Sequence, residues 1–342
     1  MTFANRNRGG THVYARSLFS ALREKEGIAA WVISGPRTSG MVGTMNWLLR
    51  DARREMMAKP PELLHCPSFV APWRVNVPLV VTVHDAATRR FPQDHPLEWR
   101  FYDRWLMPSR LRAAARVITG SEFARQEVIS AYGVEADRVV AVPYGLDPRY
   151  LTAGEATLDG MSGPMLFSGA PIGRKNLDVV LRVMAGTPAL RGSTLDISGA
   201  TASDFPQYER MVAELGLQSR VRWLGHVADM QAVIARSSVV VYPSLYEGFG
   251  FPPLEAMALG TPVVASDHGS LPEVLGDAAL LVDPEDDRAV GRAIEWVLTK
   301  PELRDRLRRA GTARARMYTW EKCAERTIDV YRDVLSEHHL AV

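Results

Sequence analysis

Two glutamates eight residues apart, Glu247 and Glu255, enclose the run Gly248-Phe249-Gly250-Phe251-Pro252-Pro253-Leu254 in a chain of 342 residues. The run follows an apolar segment ending near Pro243, and Pro252–Pro253 suit a helix start, where a missing N–H does no harm. Gly248 and Gly250 let a backbone approach a ligand closely, and free N–H groups at a helix start favour an anion. A carboxylate repels phosphate but readily accepts hydrogen bonds from paired hydroxyls, as on ribose or a sugar ring. The layout therefore suits phosphates held by amides and hydroxyls held by carboxylates. The same residues also fit a plain strand–helix turn whose glutamates favour the helix dipole.

Three further groups have comparable chemistry. Arg174-Lys175 follow the apolar run Met165–Ser168 and a Pro/Gly loop. A fixed cation pair there would stabilise charge developing on a leaving phosphate oxygen more than it stabilises the ground state. A solvated loop pair is the plainer alternative. His84-Asp85 stand directly after Leu79–Val83, where a histidine can bond a hydroxyl or simply pair with neighbouring backbone. Gly9-Gly10-Thr11 open an amphipathic segment with Tyr14, Leu18, Phe19 and Leu22 near one face, an anion-friendly helix start.

These residues need elements that bring them to one edge. Short apolar, β-branched runs alternate with helical patterns, the signature of parallel α/β units. In the first half, strands are expected at Ile28–Ser34, Leu63–Cys66, Pro78–Val83, Arg116–Thr119 and Val139–Val142. Helices are expected at Thr11–Lys25, Met45–Ala58, Glu98–Ala114 and Glu122–Tyr132, the last capped by Ser121 and stopped by Gly133. Leu151–Pro164 has no periodicity and reads as a linker. The alternation then restarts. Strands are expected at Met165–Ser168, Thr194–Ser198, Val221–Leu224, Val239–Pro243, Pro262–Ala265 and Ala279–Val282. The matching helices are Leu177–Ala185, Phe205–Leu215, Met230–Arg236, Leu254–Leu259, Arg288–Thr299, Leu303–Met317 and Trp320–Glu337. Ligands of such sheets bind outside the carboxyl ends of the strands, where each group above falls.

Composition narrows the function classes. Lys+Arg 41 against Asp+Glu 39 leaves +2, so no global field recruits nucleic acid. Only five of the basic residues are Lys, against 36 Arg, which makes Lys175 a departure from the usual choice. Cys66 and Cys323 form no disulfide framework, and the N-terminus lacks a signal-peptide run, so a cytoplasmic protein is expected. No stretch reaches the roughly 18 apolar residues of a membrane span. The basic run Arg304, Arg306, Arg308, Arg309, Arg314 and Arg316 is expected to be a solvated helix face or part of a domain junction, with peripheral membrane contact as the alternative. Phe251, Trp223 and Tyr242 are expected in the core. A nicotinamide dehydrogenase is disfavoured, because no Gly-x-Gly-x-x-Gly follows the first strand.

Glu247-Gly-Phe-Gly…Glu255 resembles the signature of the retaining glycosyltransferases of family 4. The likeness extends through Gly260-Thr-Pro-Val-Val, Leu271-Pro-Glu-Val-Leu-Gly-Asp-Ala, Pro143-Tyr-Gly-Leu-Asp147 and Gly173-Arg-Lys-Asn-Leu177. It implies the GT-B fold: two Rossmann-like domains facing each other across a cleft. Residues 1–150 would bind the acceptor, with the last helix (about 319–342) packing back on them, and residues 151–318 would bind the donor. It implies transfer of a sugar from a nucleoside-diphosphate donor, UDP preferred, to an acceptor hydroxyl. Glu255 would hold the donor ribose and Glu247 the donor sugar. Gly248, Phe249 and Gly250 would line the sugar and diphosphate, Phe249 and Gly250 through their amides. Lys175 would bind the phosphates, Gly9-Gly10 would meet the donor phosphate or the acceptor, and His84 would take a site role.

The family often carries Gly-Arg at the start of the loop before Arg174, whereas here Gly169 is followed by Ala170; whether Arg174 supplies that cation is open. Relatives usually have a full first strand before Gly9, whereas only Met1–Ala4 are available here. No Asp-x-Asp and no cluster with metal-ligand spacing occurs, so a metal-independent reaction without cofactor is expected. A same-fold epimerase or phosphorylase, or a non-catalytic nucleotide-sugar binder, are the alternatives.

Overall fold

A computed structural model describes residues 9–33, 43, 46–73, 75–153 and 163–340. The chain divides into two compact units. One runs to Gly145 and resumes at Tyr318; the other is Leu146–Met317.

The second unit is built on six parallel strands: β5 (Met165–Ser168), β6 (Leu195–Ser198), β7 (Val221–Gly225), β8 (Val239–Tyr242), β9 (Val263–Ser266) and β10 (Leu280–Val282). Their order across the sheet is β10-β9-β8-β5-β6-β7. The chain thus winds outward from β5 in one direction and, after β7, returns to β8 on the other side. Every residue of β5, β6, β8 and β9 is buried, as continuous Val/Leu/Ile runs require of a parallel sheet covered on both faces. Helices Leu177–Gly186 and Asp287–Thr299 pack together over this sheet through Val180, Val183, Met184, Val290, Ile294 and Val297. The Asp286 carboxylate caps the second of them, accepting from the amides of Arg288 and Ala289 at 2.8 and 3.0 Å.

The first unit holds four parallel strands in sequence order: β1 (Leu64–Cys66), β2 (Leu79–Thr82), β3 (Arg116–Thr119) and β4 (Val139–Ala141). Helix Glu122–Tyr132 starts where Ser121 Oγ accepts from the Ala124 amide and stops at Gly133, whose φ of +64° suits glycine. The C-terminal helix Trp320–Leu340 packs against helix Gly10–Arg23. A buried polar chain fastens this arrangement: Tyr331 to His65 Nδ1 at 2.5 Å, His65 Nε2 to Thr82 Oγ1 at 2.8 Å, and Tyr14 to the same Thr82 oxygen at 2.9 Å. Gly145 is required here, because a Cβ would stand 2.2 Å from the Trp320 backbone nitrogen.

Two expectations change. Residues 28–33 of the expected strand Ile28–Ser34 join no ladder, although Ile33 packs on the core; apolar alternation buries one face but needs a neighbouring strand to become sheet. The expected helix 98–114 is continuous over 97–113 but widens to a π-helical stretch at Tyr102–Leu106. The start of the expected linker forms helix Pro148–Ala153, while 154–162 and Met1–Ala4 lie outside the described residues.

Candidate active site

The strand order reverses between β5 and β8, and open α/β sheets bind ligands outside the carboxyl ends at such a switch point. After β5 the chain makes the turn Gly173–Lys175, which ends on Asn176 in the left-handed conformation (φ +57°). That uncommon backbone is held by the Asn176 amide group, which donates to the Pro284 carbonyl at 2.8 Å. Across the gap, the Leu245 amide donates to the Arg174 carbonyl at 2.8 Å, fastening the loop after β8 to the loop after β5.

This joining places two cations on one carboxylate. Glu247 Oε1 accepts from Lys175 Nζ at 2.5 Å, from Arg174 Nη1 at 3.1 Å and from the Tyr242 hydroxyl at 3.2 Å. Lys175 Nζ also reaches the Tyr242 hydroxyl and lies 4.5 Å from the centre of its ring. Arg174 Nη1 donates in addition to the Tyr246 carbonyl at 2.9 Å. The three charged side chains are only 10–15% exposed. Burial alone would raise the pKa of Glu247, but the charges of Lys175 and Arg174 outweigh it and hold the carboxyl below its ordinary value. The cluster has two positive charges and one negative, which leaves a net charge suited to an anion.

The Glu247 backbone is gripped from a third loop. Its carbonyl accepts from the Ser270 amide at 3.1 Å, and Gly269 (φ +69°) lies so close that a Cβ would be 2.9 Å from the Glu247 nitrogen. Gly250, at φ +97°, turns the chain into helix Phe251–Ala258, and a Cβ there would meet Leu271 Cδ2 at 2.6 Å. Phe249 is buried with its ring 5.0 Å from that of Phe251, so this part of the loop is anchored rather than splayed.

Glu255 lies in the first turns of that helix, half-buried. Burial, reinforced by the nearby Asp147 charge and only partly offset by a hydrogen bond from Tyr150, lifts its pKa to about 7. Two glutamates on one loop and helix thus differ in state: Glu247 is held ionised, while Glu255 is poised near neutrality.

Gly9, Gly10 and His84 belong to the first unit. Gly9 caps helix Gly10–Arg23, its carbonyl accepting from His12 and Val13 at 3.0 and 3.3 Å. His84 follows β2; its Nδ1 pairs with the Tyr144 hydroxyl at 2.8 Å, and its ring meets that of Tyr14 edge-on at 5.1 Å. Burial lowers its pKa to about 4, against the Asp85 charge and the Pro67 carbonyl, so it is neutral at pH 7. A neutral imidazole fixed at Nδ1 can exchange a hydrogen bond at Nε2 without bringing charge.

Of the expected site residues, the second unit joins Arg174, Lys175 and Glu247 directly and sets Gly248, Phe249, Gly250 and Glu255 on the continuing chain. Arg174 occupies the cation position that Ala170 leaves empty of charge. Tyr242 is fully buried, as expected of core, yet its hydroxyl is part of the charge cluster. Gly269, Ser270, Tyr150 and Asp147 were not singled out as site residues. Asp147 lies in the resembling stretch, and Gly269 would be found only by asking what its φ requires. Trp223 packs at the edge of the core and Phe251 is half-buried.

The comparisons with known proteins agree with this geometry. Residues 8–150 match the family model described as "Glycosyltransferase Family 4", and residues 156–314 that described as "Glycosyl transferases group 1". The chain is 31% identical over 298 residues to O-antigen chain mannosyltransferase B of Escherichia coli, covering 84% of this chain and 76% of the relative. It is 29% identical over 278 residues to MMP alpha-(1->4)-mannosyltransferase of Mycolicibacterium hassiacum, covering 77% and 67%. In fold it is similar to sucrose-phosphate synthase of Thermosynechococcus elongatus (TM-score 0.79, 21% identity, 96% of this chain and 94% of the other). It is likewise similar to Anabaena HepE in complex with UDP and glucose (TM-score 0.73, 18% identity, 96% and 97%).

Proposed function

The chain belongs to glycosyltransferase family 4, has the GT-B fold and transfers a sugar from a nucleotide sugar; on that premise we propose retaining mannosyl transfer from a nucleoside-diphosphate mannose to an acceptor hydroxyl. The observation that carries the reading is the buried cluster at the β5/β8 switch point, two cations on one oxygen of Glu247. Mannose is supported by the names of the two relatives, both mannosyltransferases. Uridine as the base is supported by the fold neighbour crystallised with UDP, and a thermal-shift comparison of UDP with GDP decides it. A nucleotide at a hundred times its Kd stabilises by about 2.7 kcal/mol, enough to rank the two.

In this proposal Lys175 and Arg174 meet the diphosphate, whose leaving oxygen gains negative charge as the bond to the sugar C1 breaks. The acceptor oxygen bonds to C1 on the same face, and its proton passes to the departing phosphate oxygen. Glu247 orients the donor sugar: its contacts with Lys175, Arg174 and Tyr242 all fall on Oε1, which leaves Oε2 to accept a sugar hydroxyl. Glu255 receives the ribose hydroxyls, and the residues to Gly145, with Gly9, Gly10 and His84, serve the acceptor and the donor phosphate. The reaction needs no metal in this reading, because protein cations face the diphosphate. A cytoplasmic location belongs to the same proposal and is supported by the two free, buried thiols Cys66 and Cys323.

NMR of the product's anomeric centre tests the stereochemistry; an inverted linkage refutes retention. Glu247→Gln tests the site, with turnover expected to fall at least about a hundredfold. Near-wild-type turnover with unchanged donor affinity would remove the role given to Glu247.

A further inference from the structure

The continuous helical segment 97–113 of the first unit has two apolar faces, and only one of them is used by the fold. On the inner face, Tyr102 and Met107 are buried, while Trp99 and Leu106 pack against the core. That face is also pinned by polar bonds. Tyr102 donates to the Phe69 carbonyl at 3.1 Å, and the Asp103 carboxylate takes the Tyr132 hydroxyl at 2.5 Å and Arg89 Nε at 3.1 Å. The helix is therefore fixed in rotation, and its outer face is a built surface.

On that outer face stand Leu97, Phe101 and Trp105, spaced four apart and 74%, 58% and 66% exposed. Spacing of four aligns them in one stripe along the helix. Arg100 and Arg104, also exposed and four apart, run beside the stripe. Most other arginines of this unit are paired: Arg89 with Asp103, Arg90 with Glu127, Arg116 with Glu337, Arg125 with Glu122 and Arg138 with Glu135. Among the described residues Arg100 and Arg104 make no ion pair or hydrogen bond. Glu98 is the one exposed acid of residues 97–113.

We propose that this face docks the protein on a bilayer surface rich in anionic lipid. The apolar stripe would enter the headgroup boundary, with Trp105 at the level where indole rings settle, and Arg100 and Arg104 would bond lipid phosphates. Charge decides between occupants. A second copy of the chain meeting this face symmetrically would set Arg100 and Arg104 against their own kind, and three side chains fall well short of the roughly 800 Å² per partner that a stable dimer buries. The basic run near the C-terminus is not such a face. Arg314 donates to the carbonyls of Val274 and Glu273 at 2.9 and 2.6 Å, Arg304 to that of Leu298 at 3.1 Å, and Arg308 pairs with Asp305. No helix among the described residues is long and apolar enough to cross a membrane, so the contact is peripheral.

The test is co-sedimentation of the full-length protein with phosphatidylcholine vesicles, with and without phosphatidylglycerol, for wild type, Phe101→Ser/Trp105→Ser and Arg100→Glu/Arg104→Glu. Wild type is expected to bind only the anionic vesicles, and less so in high salt. Each double variant is expected to lower the partition coefficient at least about tenfold while the thermal melt and donor turnover in solution stay unchanged. Three results overturn the proposal: no binding to anionic vesicles, binding that survives either double variant, or a dimer in analytical ultracentrifugation that these substitutions convert to monomer.

Discussion

Glu255 gives the sharpest test of the site, because its expected effects on stability and on binding have opposite signs. The carboxyl ionises at about 7 in the folded protein, against an ordinary value near 4.5. Each factor of ten in this ratio is 1.36 kcal/mol, so the ionised side chain costs the folded state about 3 kcal/mol. The sign follows from the raised pKa: the protonated group is tolerated, so the penalty is absent below about pH 4.5, grows up to about pH 7 and is then constant. Glu255→Gln mimics the protonated acid and escapes it. The variant is therefore expected to exceed wild type by about 3 kcal/mol in urea denaturation at pH 8 and by less than about 1 kcal/mol at pH 5. The comparison is made on the transition of the Leu146–Met317 unit, since two units need not unfold together. Under the ribose assignment the same variant binds nucleoside diphosphate more weakly, by about 10–100-fold, because an amide lacks the second acceptor and the charge. A stability gap that does not change with pH would refute the account of Glu255 as a carboxyl desolvated beside Asp147. Unchanged nucleotide affinity would refute its assignment to the ribose.

Two further perturbations probe the parts around it. Lys175→Ala is expected to lower kcat by about 10²–10³ with a smaller effect on KM, since its cation acts on charge that develops during transfer; an effect confined to KM would assign it to ground-state binding. Gly250→Ala forces a side chain into a left-handed turn at φ +97° and against Leu271 at 2.6 Å, and is expected to cost about 2–3 kcal/mol, read as a lower melting temperature.

The local chemistry of the chain was readable in its order of residues. Alternating apolar runs marked nine of the ten strands to within about two residues of their bounds together with β7, whose end differs by one, because strand and helix periods imprint themselves on any sequence that buries one face or two. Ser121 and Gly133 marked the ends of their helix because capping is a contact within a few residues. The spacing of Glu247 and Glu255 around glycines likewise declared a strand–loop–helix junction able to handle an anion and hydroxyls.

Partnership across the chain was decided elsewhere. Lys175 and Glu247 are 72 residues apart, and they meet only because the winding returns to place β8 beside β5. Tyr242 reads as core, and is core, but strand pairing also brings its hydroxyl to that pair. Gly269 carries no motif of its own; its need for glycine comes from the Glu247 backbone pressed against it. Residues 28–33 show the converse, an apolar alternation that finds no ladder among the described residues. The same limit applies to segment 97–113: its periodicity offers two apolar faces, and only the packing of Tyr102, Met107 and Asp103 settles which one remains exposed. Propensity, capping and spacing act over a turn or two and so are written along the chain. The protonation of Glu255, the charge pairing at Glu247 and the exposure of Trp105 depend on which distant residues share a dielectric environment, and only the folded arrangement supplies those neighbours.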